Sequence, residues 1–206
     1  MDTLRTLSAL VLISVAGCSS FTPGAAPVPK PSSMPVWRVE GFVGVGADPY
    51  VQAERQNAVF DAELNEVGVL PIQVFIQNHG DRPVVIRSSD MRLVLPSGRT
   101  VDPSGATEVV VKMEKHPVLF RFGSAGVGHV FEMRDRRADY LRKKFGDVVL
   151  GKEESVHGFV YMIPPRGPFS DVIREATLSV RFVDPENATS FVVNVPLKGL
   201  AFATKE

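Results

Sequence analysis

From Trp37 onward the chain alternates apolar and polar positions in short runs. Trp37, Val39, Val43 and Val45 recur at even spacing, and so do Ile72, Val74 and Ile76, with Gln73 and Gln77 on the other side. Met91, Leu93 and Leu95 keep the same period. Ala176, Leu178, Val180 and Phe182 do so too, followed by Phe191, Val193 and Val195. A period of two marks strands with one buried face. Turn chemistry separates the runs: Asn78-His79-Gly80-Asp81, Pro96-Ser97-Gly98, Pro164-Pro165-Arg166-Gly167 and Asp184-Pro185-Glu186-Asn187. Short strands joined by turns predict a mainly β fold, an antiparallel β-sandwich.

From about Val130 to Phe145 the period changes. Phe131, Ala138, Leu141 and Phe145 fall on one helical stripe. Gly146 stands where a left-handed C-terminal cap is favoured, and Lys143 and Lys144 suit the negative end of the helix dipole. The expectation is one amphipathic helix inserted into the sandwich. A second, shorter helix is predicted from Pro49 to about Phe60, with Pro49 in the first turn and Ala53, Gln56 and Phe60 on a weak apolar face.

Basic side chains dominate the longer helix: Arg134, Arg136, Arg137, Arg142, Lys143 and Lys144 stand against Glu132, Asp135 and Asp139. Such a face is a candidate partner-binding surface for anionic lipid headgroups or an acidic protein. The plainer reading, which the sequence favours, is a solvated helix with its own i,i+4 ion pairs, Glu132 with Arg136 and Asp139 with Lys143.

The first residues follow different rules. Arg5 precedes an apolar run from Leu7 to Val15, far shorter than the roughly 20 residues that span a bilayer. This is the build of a secretory signal. The run ends in Val15-Ala16-Gly17-Cys18, which resembles the lipobox of bacterial lipoprotein precursors. The resemblance implies cleavage between Gly17 and Cys18, diacylglycerol on the Cys18 thiol and a further acyl chain, such as palmitate, on the new N-terminus. One chain alone binds a membrane marginally, whereas two or three hold firmly. Ser19 follows Cys18. In Gram-negative lipoproteins an Asp there favours the inner membrane. By the same resemblance, this chain is expected on the outer membrane, facing the periplasm, if its source is Gram-negative.

The expected organisation is a signal peptide at 1–17, a lipidated cysteine with a Pro-rich tether at 18–36, and a β-sandwich domain at 37–206. The tether holds Pro23, Pro27, Pro29, Pro31 and Pro35 with few apolar side chains, so it is expected to be extended or disordered. At about 3.1 Å per residue it would hold the domain roughly 50 Å from the bilayer.

Within the domain, Ile72 to Asn78 followed by the Pro83-Val84 restart resembles the core hairpin of immunoglobulin-like modules in bacterial envelope proteins. The stretch from Gly151 to Met162, with Ser155, Gly158 and Phe159, resembles another strand of such modules. The resemblance implies an immunoglobulin-like sandwich. It transfers no catalytic residue, since many of these proteins have no known activity.

Composition narrows the chemistry. Lysine plus arginine number 23, as do aspartate plus glutamate, so no net field steers a nucleic acid toward the chain. Cys18 is the only cysteine, which leaves stability to an apolar core rather than disulfides. Gly123-Ser124-Ala125-Gly126 lacks the Gly-x-Ser-x-Gly spacing of a nucleophile elbow. Gly123, Gly126 and Gly128 come without the lysine of a P-loop. His79, His116, His129 and His157 are well separated. Met113 and His116, joined by Met133 and Met162, form a set suited to copper, but methionines more often fill cores. No enzyme activity, metal or cofactor is expected.

The leading expectation is a lipid-anchored, non-enzymatic envelope protein that presents a sheet face or edge to another envelope protein. Two alternatives stay open. One is a carrier or sensor of a small ligand, a lipid or metal ion, with a deep apolar cavity under Phe131, Leu141 and Phe145. The other is a hydrolase with a dispersed Ser-His-Asp site.

Overall fold

The computed structural model describes residues 21–116, 127–165 and 169–198. The expected signal peptide, Cys18, the stretch from Gly123 to Gly126, the Arg166-Gly167 half of one predicted turn and the Phe131 side chain lie outside the described residues.

The alternating runs form two antiparallel sheets. The first has the order β1 (Val36–Glu40), β2 (Val43–Pro49), β3 (Leu70–Asn78), β8 (Ser155–Met162), β6 (Pro103–Ser104). The second has β10 (Thr189–Pro196), β9 (Thr177–Asp184), β4 (Val84–Val94), β5 (Thr100–Val101), with β7 (Val148–Leu150) also paired to β4. The protein is mainly β, as the periodicity predicts.

One core fills the space between the sheets. Ile72, Val74 and Ile76 meet Leu178, Val180, Phe182, Val193 and Val195 there, all fully buried. Burying each such aliphatic side chain is worth about 1.5–3 kcal/mol. Strand β4 changes phase on the way: its inward residues are Val84 and Ile86, then Met91 and Leu93. Its pairing with β9 shifts register between Ile86 and Met91. Asp147 holds the irregular stretch by accepting hydrogen bonds from the Ser88 N–H at 2.8 Å and the Ser88 hydroxyl at 3.1 Å. The backbone bond from Ser88 draws the Asp147 carboxyl below its usual pKa.

A second core lies on the other face of the first sheet. There α1 (Ala53–Phe60), α2 (Ala106–Glu114) and α3 (Val127–Lys143) cover β8, while the Pro27 carbonyl and Tyr50 meet Gln73 of β3. Phe60, Tyr140, Phe159 and Tyr161 are fully buried. Phe60 meets Phe159 at 4.9 Å and Tyr140 at 5.7 Å, both edge-on. The first sheet is therefore covered on both sides, and Gln73, expected on a solvated face, is only 2% exposed.

The helices differ from the expectation of one long and one short. Among the described residues there are four, including α4 (Phe169–Arg174). α1 begins at Ala53, because Pro49 still belongs to β2. α2 holds Val109-Val110-Val111, a β-branched run that locally favours strand. It is helical because Ala106, Val109, Val110 and Met113, at i, i+3, i+4 and i+7, all bury into the second core.

Gly146 does not take the left-handed conformation expected of it. Leaving α3, the chain passes beside β8 before it forms β7, and there the Phe145 N–H donates to the Phe159 carbonyl at 2.8 Å. Phe145 then enters the core between the sheets. Gly158 makes that crossing possible: a Cβ there would lie 2.7 Å from the Phe145 Cα and 2.8 Å from its nitrogen.

Candidate functional site

The helix-bearing face gathers most of the charge that the sequence singles out. Arg136, Tyr140 and Lys143 recur along α3 at i, i+4 and i+7, a spacing that keeps them on one face. All three reach the C-terminal end of α1. Lys143 Nζ donates to the Val59 carbonyl, the Tyr140 hydroxyl to the Phe60 carbonyl at 3.4 Å, and Arg136 to the Asp61 carbonyl at 3.0 Å. These are carbonyls that a helix end leaves unpaired, where its dipole is negative. Asp61 closes the helix in the left-handed conformation, at φ 51°.

Two acids complete the network. Lys143 Nζ lies 2.5 Å from Asp139 Oδ2, and both residues are buried. Arg142 reaches the other Asp139 oxygen at 3.3 Å from a largely exposed position. Arg136 pairs with Asp61 at 3.6 Å. Burial pushes the Tyr140 hydroxyl up to about 12, so it stays protonated and able to donate at any physiological pH.

The predicted basic face is therefore divided. Arg134, Arg137 and Arg142 are exposed, Lys144 is half-buried beside β8, and Arg136 and Lys143 turn inward to α1. The Asp139–Lys143 pair forms at the expected spacing, but inside the protein. The apolar stripe is also displaced. Leu141 is 51% exposed and Ala138 is exposed, while Met133 and Tyr140 face the core. The stripe Met133, Arg136, Tyr140, Lys143 has correct helical spacing, but two cations hide it from a search for apolar residues.

The N-terminal segment lies against this face. Before β1 it forms no regular element except one 3₁₀ turn at Pro31–Ser33, in keeping with its proline content, but it is seated on the domain. Arg136 stacks 4.4 Å above the Phe21 ring. The Thr22 N–H donates to Asp61 Oδ2 at 3.2 Å, and Gln73 Nε2 donates to the Pro27 carbonyl at 2.7 Å. Gly24 crosses α1 so closely that a Cβ would lie 2.1 Å from the Ala58 carbonyl oxygen. Pro29 and Met34 are buried. Between this segment and Asp139, Arg142, Lys143 and His157 an open cleft of about 410 Å³ remains.

Other sequence candidates are scattered. Met113 and Met133 lie in the second core and Met162 in the first, so they do not share one site with His116. Among the described residues no three His, Cys, Asp or Glu side chains converge on one point. Phe145 belongs to the core between the sheets and Leu141 faces outward, so among the described residues no cavity lies beneath them; Tyr140, Phe60, Phe159 and Tyr161 fill the space under the described part of α3. No helix among the described residues is long and apolar enough to cross a membrane.

No family model and no curated protein matches the sequence. Among solved structures, the yjhA protein of Bacillus subtilis is similar at 12% identity and a TM-score of 0.41, over 78% of this chain and 96% of its own. A candidate lipoprotein of the same species, ycdA, has 10% identity and a TM-score of 0.39, over 78% of this chain and 38% of its own. A protein of unknown function from Listeria monocytogenes has 10% identity and a TM-score of 0.37, over 79% of this chain and 80% of its own. Likenesses at this level transfer no function.

Proposed function

We propose that this chain is a bacterial envelope lipoprotein. Acyl chains on Cys18 anchor a mainly β domain that works as a non-enzymatic interaction or structural module. The observation that carries the reading is the sole cysteine, at the end of a short apolar run and directly after Val15-Ala16-Gly17. The arrangement beyond it fits an anchor: Phe21, three residues after the cysteine, is already seated on the domain. If the source is Gram-negative, Ser19 favours the outer membrane, facing the periplasm.

An edge is available for partner contact. β1 pairs only with β2 among the described strands, and Arg38, Val39 and Glu40 are exposed along it. An open strand edge can accept another chain's strand, and its charged residues select which one.

The test is the mass of the mature N-terminal peptide together with cell fractionation. A cysteine carrying diacylglycerol, and release or non-processing of Cys18→Ala, is the expected result. An unmodified thiol, or a Cys18→Ala chain that is processed and fractionates as the native one does, removes the anchor.

A further inference from the structure

We infer that the exposed face of α3 lies on the anionic headgroups of the membrane that holds the protein, so that the domain rests on the bilayer instead of standing off it. The inference rests on the lipid anchor proposed above and deepens it. Three residue steps separate Cys18 from Phe21. At full extension they span about 10 Å. Phe21 is fixed beneath Arg136, and Thr22 is fixed to Asp61, so the anchor leaves the domain alongside α3. A helix with its side chains is about 10 Å across, so the exposed face of α3 and the anchor are close neighbours.

Charge selects which side of the exit point turns to the membrane. The outward face of α3 carries Arg134, Arg137 and Arg142 against Asp135, with Leu141 half-exposed among them. The α1 side carries Glu54, Glu63 and Glu66. Arginines around an apolar side chain suit a headgroup region, where long cationic side chains reach phosphate while their stems and the leucine meet the acyl boundary. An acidic surface is repelled there. With Arg136 and Lys143 committed to α1 and Arg142 already reaching Asp139 from its exposed position, Arg134 and Arg137 are the chief cations in question, with Arg142 beside them.

The test uses the mature full-length protein in vesicles of phosphatidylethanolamine and phosphatidylglycerol. A fluorophore is placed on α3 by Ala138→Cys, or on the outer face of the second sheet by Asn194→Cys, and lipids carrying a quencher on the upper acyl chain are added. The expected result is at least fivefold stronger quenching at 138 than at 194. It should fall to the level of 194 when Arg134, Arg137 and Arg142 are all changed to Glu. Equal quenching at the two positions, with Cys18 acylated, overturns the proposal and leaves the anchor standing. So does a face at 138 shielded by a second copy or a protein partner with no dependence on phosphatidylglycerol. Dye on Cys18 itself means an unacylated thiol and sinks the anchor. The face is then judged by sedimentation of the same chain with phosphatidylglycerol against phosphatidylcholine vesicles. A preference of tenfold that the triple reversal abolishes upholds the face, and a change under twofold overturns it.

Discussion

Lys143 is a cation whose partners lie inside the protein. It meets Asp139, the Val59 carbonyl and, at 5.6 Å, the face of Phe60. Removing one member of a buried pair strands the other, which typically costs about 3–5 kcal/mol, whereas an apolar replacement of both is often close to neutral. Arg142 also reaches Asp139 from solvent and softens the loss. Lys143→Ala should therefore lower stability to urea by about 3 kcal/mol. The double variant Asp139→Leu with Lys143→Met should recover most of it, to within about 1 kcal/mol of the native chain. A single-variant loss below that last figure would mean that the pair is effectively solvated. The same logic explains why this residue reads as surface in the sequence. A lysine at helical spacing from an aspartate has the pattern of an exposed pair, and only the end of another helix, 84 positions away in the chain, turns it inward.

At the scale of elements, much of the strand framework is legible, because alternation is local. Leu178 to Phe182 and Phe191 to Val195 each read correctly as one inward face, while Ile72, Val74 and Ile76 are only one of the two buried faces of β3. What is not legible is how many faces a sheet buries. Gln73 looks solvated until the Pro27 carbonyl and the Tyr50 hydroxyl close over it, and the Val109–Val111 run looks like strand until it lies on the aromatic layer. The end of α3 shows the same dependence on tertiary partners. Gly146 has the right position for a cap, but β8 offers the Phe159 carbonyl to Phe145 instead, and Gly158 is the residue that leaves room. A methyl group at 158 would meet backbone, which cannot rotate away. Gly158→Ala should thus destabilise by about 1–3 kcal/mol, the usual range for overpacking, and raise hydrogen exchange at the Phe145 amide before the amides of β8. Unchanged protection at Phe145 would show that the crossing does not depend on this glycine.

For the whole molecule, the question is where the domain begins. Composition places the boundary at Trp37, because a Pro-rich segment has little to bury. Yet the segment before it supplies what its few apolar and polar groups allow. Met34 packs over Gly46, Pro29 is buried, Ala26 touches the second core, and the Pro27 carbonyl accepts the buried Gln73 amide, whose oxygen in turn accepts the Tyr50 hydroxyl at 3.2 Å. Proline lowers the entropy lost when such a segment is pinned, so a few contacts suffice. A chain starting at Trp37 exposes the apolar surface beneath Met34 and leaves the Gln73 amide without its acceptor. Burial of one methionine is worth about 1.5–3 kcal/mol and the hydrogen bond about 1. In a protein of this size each kcal/mol moves Tm by about 2–4 °C. The chain from Trp37 should melt roughly 5–16 °C below the chain from Ser19, both lacking Cys18 and so compared without lipid. Equal melting temperatures would make the segment a loose covering with no hold on the domain. An anchor at Cys18 would then regain a reach of roughly 50 Å, and nothing would keep α3 at the bilayer. A lower melting temperature for the shorter chain makes the segment before Trp37 part of the folded unit, so that any lipid on Cys18 fixes the orientation of the domain as well as its location.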